Sequence, residues 1–322
     1  MKRATILTLA VLAIGAAGLG AQALKVDPSL PPYQKTSGVS GSLNSIGSDT
    51  MNNMMALWAE TFRKFYPNVR IQIEGKGSTT APAALIAGTA QLGPMSRSMR
   101  ASEIDQFEAK YGYKPIELKS SYDALAVYVN KDNPIEKLTL AQVEAIFGKS
   151  RKRGHKANVA TWGQLGLTGD WANRPIGLYG RNSASGTYGF FREHVLKNGD
   201  YKDTVKEQPG SASVVQGVTE DRYGIGYSGI GYRTSGVKLV PLAETEKGPF
   251  SDGSYEDVTS GKYPLWRFLY IYGNKAPNKP LDPLVGEFVK LIYSREGQEA
   301  VVKDGYMPLT AKLAQVELAK VK

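Results

Sequence analysis

Three times along this chain an apolar run leads into a loop of glycine and small hydroxyl residues, and the loop leads into a helical pattern. The first loop is Gly47-Ser48-Asp49-Thr50 and the second is Gly75-Lys76-Gly77-Ser78-Thr79-Thr80. The third is Gly180-Arg181-Asn182-Ser183-Ala184-Ser185-Gly186-Thr187-Tyr188. Repeated strand-to-helix order predicts an α/β fold, because successive parallel strands need a crossover of helical length between them. In such sheets the loops leaving the carboxyl ends of strands share one edge, beside helix N-termini. Backbone N–H groups at a helix start, hydroxyls and a guanidinium can all donate hydrogen bonds to an oxyanion. Three such loops on one edge predict a cradle for one small anion, with Arg181 as its fixed charge.

The surrounding elements follow from periodicity. Ser42 to Ile46 reads as a strand, and Met51, Met54, Met55, Trp58, Phe62 and Phe65 then recur at helical spacing until Tyr66-Pro67 ends the helix. Core packing explains the methionines more simply than a soft metal site does. Val69, Ile71 and Ile73 alternate with polar residues as a strand, and Ala81 to Gly88 reads as a helix with Pro82 near its start. Asp123 to Val129 is an apolar strand, Asn130 to Pro134 a turn, and Thr139 to Phe147 a helix capped by Thr139. Ile176 to Tyr179 is the strand before the arginine loop, Phe268 to Tyr272 a late strand, and Pro283 to Tyr293 a terminal helix. The glycines of Gly224-x-Gly226-x-x-Gly229 match a dinucleotide fingerprint in spacing, but no acidic residue follows about twenty residues on in a βαβ unit. Close packing of backbone and aromatic side chains is the reading adopted there.

The amino terminus bears on location. Met1-Lys2-Arg3, the apolar stretch Ile6 to Leu19 and the small-x-small triplet Ala21-Gln22-Ala23 form a secretory signal pattern over residues 1–23, with a mature start near Leu24. The chain has no cysteine, which excludes disulfides, thiolate nucleophiles and cysteine-based zinc sites. A secreted chain without disulfides must be held by a large core, and 42% hydrophobic with 22% charged residues suits one. Formal net charge is +10, falling to about +8 without Lys2 and Arg3, and favours anionic partners. The basic residues are scattered except in the run Lys149 to Lys156, which reads as a solvated loop, so no nucleic-acid partner is expected.

Six segments occur in an informative order: Gly47 to Thr50, Gly77-Ser78-Thr79, Asp123 to Val127, Leu138 to Phe147, Arg181 to Thr187 and Gly224 to Tyr227. Together they resemble the periplasmic phosphate-binding proteins of high-affinity phosphate ABC transporters, over nearly the whole mature chain. The most specific part is Arg-x-x-x-Ser-Gly-Thr, which in that family grips phosphate and here falls on Arg181, Ser185, Gly186 and Thr187. The resemblance implies a type II periplasmic binding fold: two doubly wound α/β lobes, a central ligand cleft and a hinge of two crossing strands. Lobe I would comprise residues 42–120 and 268–322 and lobe II residues 121–267, with residues 24–41 an extended lead-in on the surface. Ser48, Asp49, Thr50 and Ser78 would then face the arginine loop across the cleft. A membrane permease would read the closed, loaded form of a monomeric carrier, with no cofactor or metal.

One position departs from the family pattern. Many members carry an Asp that accepts the proton phosphate retains and sulfate lacks, whereas here the matching position is Ser96, in Leu92-Gly93-Pro94-Met95-Ser96-Arg97. Asp49 is open to two readings, as the substitute acceptor or as a cap of the helix opening near Thr50. Arg97 is likewise open, as a second cleft cation or a solvent-facing side chain. A phosphatase would also need an anion cradle, with Ser185 or Thr50 imaginable as nucleophile. The chain's histidines are His155 and His194 only, without ligand spacing or a partner motif, so an enzyme is not expected. An adhesive surface protein would show repeats, and none is visible.

Overall fold

A computed structural model describes residues 24–321; the signal pattern of residues 1–23 lies outside them. The elements in chain order are β1 Ser42–Ile46, α1 Asn52–Phe65, β2 Arg70–Glu74, α2 Thr80–Ala87, β3 Leu92–Met95, α3 Ala101–Tyr111 and β4 Ile116–Asn130. There follow β5 Leu138–Thr139, α4 Leu140–Phe147, β6 Gly177–Arg181, α5 Gly186–His194, β7 Lys206–Gln208, α6 Ser211–Glu220, β8 Gly224–Gly229, β9 Val237–Leu239 and β10 Leu242–Ala243. The chain ends with α7 Tyr255–Thr259, β11 Trp266–Gly273, α8 Pro283–Ile292, α9 Arg295–Lys303 and α10 Ala311–Ala319.

The main sheet runs β2-β1-β3-β11-β4-β8-β6-β7, with β9 added on β4. The pairs β1·β2, β1·β3, β6·β7 and β6·β8 are parallel, as the strand-to-helix order requires. The middle of the sheet is antiparallel. Strand β4 pairs with β11 through Ala124 and with β8 from Leu125 onward, so one 15-residue strand crosses from one half of the sheet to the other. Strand β11 runs back beside it and also pairs with β3.

Each half has its own core. Met51, Met54, Met55, Trp58 and Phe62 of the first helical stretch are fully buried against α8 and α9, with the Phe62 and Phe288 rings 5.3 Å apart. The methionines are therefore core residues. In the other half Phe147, Phe191 and Tyr227 pack as a cluster of buried rings, centroids 3.9 Å apart for Phe191 and Tyr227. Each such fully buried side chain contributes about 2–3 kcal/mol. The lead-in is less superficial than expected. Leu30 and Tyr33 are buried in the first core, and the Tyr33 hydroxyl donates to Glu287 at 2.6 Å.

Local signals hold where they were strongest. Thr139 forms a full capping box with Gln142 at the start of α4, and Gly88 ends α2 in the left-handed conformation, φ 72°. The glycines of Gly224 to Gly229 lie inside the buried strand β8 rather than in a strand-to-helix turn, which removes the dinucleotide reading. The run Lys149 to Lys156 is a largely exposed loop, tied down where Lys152 and Arg153 N–H groups donate to buried Glu144.

Asp304, just past α9, carries a titration signature. Burial pushes its carboxyl up to about 7, opposed in part by a hydrogen bond from the Met54 N–H, and its Oδ2 has no partner among the described residues. The unfolded chain releases this proton near pH 4 and the folded chain near 7. The bound proton therefore supports folding fully below pH 4, and that support is lost as pH rises toward 7, a change of about 4 kcal/mol. Asp304→Asn is expected to be more stable than wild type in urea at pH 8, by a margin that shrinks toward pH 5. An equal margin at both pH values would contradict the assignment.

Candidate functional site

The three loops and the residue after β3 meet where strands end. Gly47 N–H donates to the Glu74 carbonyl at 2.9 Å, Gly77 N–H to the Gly47 carbonyl at 2.8 Å, and Ser48 N–H to the Pro94 carbonyl at 2.8 Å. These bonds lock the first two loops and β3 together. Any side chain at residue 47 would collide with the Pro94 carbonyl, which is why glycine stands there.

On these loops sit Ser48, Thr50, Ser78 and Ser96, all 0–2% exposed. From the other half of the sheet come Arg181, the last residue of β6, and the start of α5, where Ser185, Gly186 and Thr187 are likewise buried. The Ser185 hydroxyl accepts from the Thr187 and Tyr188 N–H groups, so it caps α5 while keeping its own hydrogen to donate. Hydroxyls interlock across the cleft. Thr50 Oγ1 lies 2.9 Å and Ser96 Oγ 3.4 Å from Thr187 Oγ1, while Ser78 Oγ, on the same side as Ser96, lies 3.2 Å from Ser96 Oγ. The Thr79 N–H and hydroxyl both donate to the Ala184 carbonyl at 3.1 Å. Two of the contact points leave no room for a side chain: a Cβ on Gly186 would overlap Ser78 Oγ, and one on Gly77 the Ala184 carbonyl.

Arg181 is 1% exposed and donates to Ser211 Oγ at 2.7 Å and to the Pro209 carbonyl at 3.1 Å. Its Nη2 lies 3.2 Å from Asp49 Oδ2. Burial pushes the guanidinium pKa down, and the Asp49 charge opposes that. Arg181 Nε and Ser48 Oγ have no hydrogen-bond partner among the described residues. A buried donor without an acceptor costs about 1–3 kcal/mol, so an acceptor brought to either atom would be stabilised by about that amount.

Asp49 does not cap its own helix. Its carboxylate reaches across the cleft and accepts the Ser211 N–H, at the start of α6, at 2.7 Å. The Tyr232 hydroxyl donates to the Asp49 carbonyl at 3.0 Å. The helix Asp49 caps thus belongs to the other half of the sheet, a contact no local spacing could show. Of the two readings of Arg97, the solvent-facing one fails: the side chain is buried, bonded bidentately to Glu103 of α3 at 2.6 and 2.7 Å, and lines a cavity with Tyr188 and Phe190 of α5, its charge matched by Glu103. The Arg97 charge holds the Glu103 carboxyl below its usual range despite burial, which is the largest influence and works the other way.

Four neighbours of the site were not singled out in the sequence: Ser211, Tyr232, Asp123 and Arg267. Arg267 donates from Nη1 to the Ser96 carbonyl at 2.8 Å and from Nη2 to Thr187 Oγ1 at 3.0 Å, and it pairs with Asp123 at 2.7 Å. A charge at the head of each of two apolar runs, Asp123 before Ala124 to Val129 and Arg267 before Phe268 to Tyr272, was the available signal, because buried charges have to be paired. His194 lies at the far end of α5, ring against Phe190, and His155 lies in the basic loop.

A profile of the PBP superfamily domain matches residues 33–296. The chain is 57% identical to the Pseudomonas aeruginosa protein named phosphate-binding protein PstS, over 95% of this chain and 96% of that one. The chain belongs to the PstS family. A more distant PstS, from Staphylococcus epidermidis, is 28% identical over 88% of this chain and 83% of that one. The solved structure of an ABC-type phosphate transport receptor from Vibrio cholerae superposes with a TM-score of 0.62 at 23% identity, covering 84% of this chain and all of that one. That likeness is one of fold: the type II periplasmic binding arrangement, in which crossing strands, here β4 and β11, join two α/β lobes. PstS proteins are substrate-binding components of transport, and the interlocked loops of this chain lie in the cleft between the lobes.

Proposed function

We propose that this PstS-family chain captures inorganic phosphate outside the cytoplasm, in the periplasm, and hands it to the membrane permease of a phosphate ABC transporter. One observation carries this reading above the others: a buried arginine is paired with Asp49 from the other half of the sheet, and the buried hydroxyls of Thr50, Thr187, Ser96 and Ser78 are bonded in a row between the two halves, with Arg181 Nε and Ser48 Oγ unpartnered among the described residues. A doubly charged oxyanion is costly to desolvate, so its water shell has to be replaced by many fixed donors. Arg181 supplies charge, and Ser48, Thr50, Ser78, Ser96, Ser185 and Thr187 supply hydroxyls, while Gly186 allows close approach. The ligand bridges loops of both lobes and so stabilises the closed form, which the permease reads.

Residues 42–120 with 268–322 form lobe I in this reading and residues 121–267 lobe II. The change of partner in β4 between Ala124 and Leu125 supports that division. The signal pattern of residues 1–23 supports export, and the carrier acts as a monomer. Capture involves no chemistry. A serine or threonine nucleophile needs a base within hydrogen-bond reach. The Ser185 hydroxyl instead accepts N–H groups of its own helix, and Thr50 Oγ1 faces Thr187.

Asp49 is the acceptor for the proton that phosphate retains, standing in for the carboxylate that Ser96 lacks. Its Oδ2 is held by Ser211 and Arg181, which fixes the carboxylate at the cleft. A fixed carboxylate repels a fully ionised anion and accepts from a protonated one. Equilibrium dialysis with labelled phosphate tests this. Excess sulfate is expected to leave phosphate bound to wild type and to displace it from Asp49→Asn. Sulfate rejection that survives the substitution assigns the acceptor elsewhere.

A further inference from the structure

Arg267 lies on β11, directly across from Asp123 on β4 in the strand register, so the two crossing strands present one ion pair between them. Both side chains are buried, at 3% and 0% exposed. Asp123 Oδ2 accepts from Arg267 Nε at 2.8 Å and lies 2.7 Å from Nη2, and Asp123 Oδ1 accepts the Ile230 N–H at 3.2 Å. The face of the guanidinium lies over the Phe190 ring, 5.1 Å from its centroid. The pair is electrically balanced, so Arg267 adds no net charge to the anion site. What it adds is direction.

A guanidinium can only donate hydrogen bonds, and a hydroxyl has a single hydrogen. Thr187 Oγ1 accepts from Arg267 Nη2, so its own hydrogen is left for Thr50 Oγ1, Ser96 Oγ or a bound anion. Ser78 Oγ is polarised in the same way by the Ser96 N–H, at 3.0 Å. The Ser96 carbonyl in turn is held by Arg267 Nη1. Ser96 follows β3 and Thr187 opens α5, so one side chain on a crossing strand holds a residue on each side of the cleft.

We propose that Arg267, clamped by Asp123 across the two crossing strands, is a positioning residue of the anion site, turning the Thr187 hydroxyl into a donor and holding Ser96 and Thr187 in register. This rests on the reading of the cleft as a phosphate site. Arginine suits the task because its planar fork serves Asp123, Ser96 and Thr187 at once, whereas a lysine head is a single point charge.

The test is a double-mutant cycle on phosphate affinity, with Arg267→Lys and Thr187→Val, in proteins shown to be folded by thermal unfolding. Arg267→Lys is expected to weaken phosphate binding by about 10- to 100-fold when Thr187 is present, the range for a hydrogen bond to a charged group. In the Thr187→Val background the same substitution is expected to cost at least about 3-fold less, because the hydroxyl it orients is gone and only the hold on the Ser96 carbonyl is lost. Equal losses in both backgrounds would overturn the proposal, since a general structural role is blind to the Thr187 hydroxyl. If Arg267→Lys does not fold, Asp123→Asn keeps the guanidinium, loosens its clamp and enters the same cycle with the same criterion. Failure of both to fold assigns the pair to folding and overturns the proposal. A wild type that does not bind phosphate overturns the functional reading itself, which separates that failure from this one.

Discussion

Arg181→Ala is expected to lower phosphate affinity by about two to three orders of magnitude while leaving a folded protein. The guanidinium is the fixed positive charge of the third loop, 1% exposed, with donors aimed at Ser211, Pro209 and Asp49 and with Nε unpartnered among the described residues. Removing one partner from a buried, hydrogen-bonded charge pair typically costs about 3–5 kcal/mol, and about 1.4 kcal/mol is a factor of ten in affinity. In the bound state the loss falls on the anion. In the free protein it falls on Asp49, which keeps the Ser211 N–H and is 22% exposed in its side chain, so its carboxylate is not stranded. The stability loss is therefore expected below that range, at about 1–3 kcal/mol. Titration calorimetry and thermal unfolding of the same sample read both quantities. Undiminished phosphate affinity would remove Arg181 from the site.

The second large effect is steric. Gly186→Ala is expected to reduce phosphate affinity by at least about 100-fold with little loss of stability in the ligand-free protein. Gly186 is the first residue of α5, where alanine is as compatible with a helix as glycine. Its added Cβ, however, would overlap Ser78 Oγ and stand 2.7 Å from Ser96 Oγ. Both neighbours are fully buried, each held by the other and by the loops beneath, so neither can yield cheaply. The clash exists only when the two sides of the cleft are together. An open form escapes it, so the substitution acts as a wedge that opposes closure rather than folding. Small-angle scattering with and without phosphate is expected to show compaction in wild type and none in the variant. Compaction of both to the same size would contradict the wedge.

Much of the fold was legible in the sequence where local chemistry and tertiary demand agree. The apolar period of α1, the Thr139 capping box and the glycine stop after α2 are local signals, and the structure keeps all three. Strand β3 carries no strand signal in the sequence, because Gly93 and Pro94 interrupt it. It persists because the Pro94 carbonyl serves Ser48 while β11 and β1 hold it from either side. Helix α3 was missed because only Phe107 of its face is buried, which leaves a weak apolar stripe, and its anchor is the Arg97–Glu103 pair. The first half of β4, with Glu117, Lys119, Ser120 and Ser121, lacks the apolar run that marked its second half.

The candidate site divides in the same way. Residues lying in glycine and hydroxyl loops, Ser48, Thr50, Ser78, Ser185, Gly186 and Thr187, could be named because the loop chemistry is contiguous in sequence. Asp49 was named, but its partners Arg181 and Ser211 are 132 and 162 residues away, so its role as a cap of α6 depends on the closed arrangement of the lobes. Arg267 and Asp123 offer only half a signal in the sequence: each stands at the start of an apolar run, where a buried charge needs a partner, and only the strand register shows that they face one another.

The most direct measurement is calorimetric titration of ligand-stripped protein with phosphate at neutral pH, beside an identical titration with sulfate. One phosphate bound tightly per chain, with sulfate producing no comparable heat, is the expected result. Absence of phosphate binding, or sulfate bound as tightly, would contradict phosphate capture at the Arg181 site.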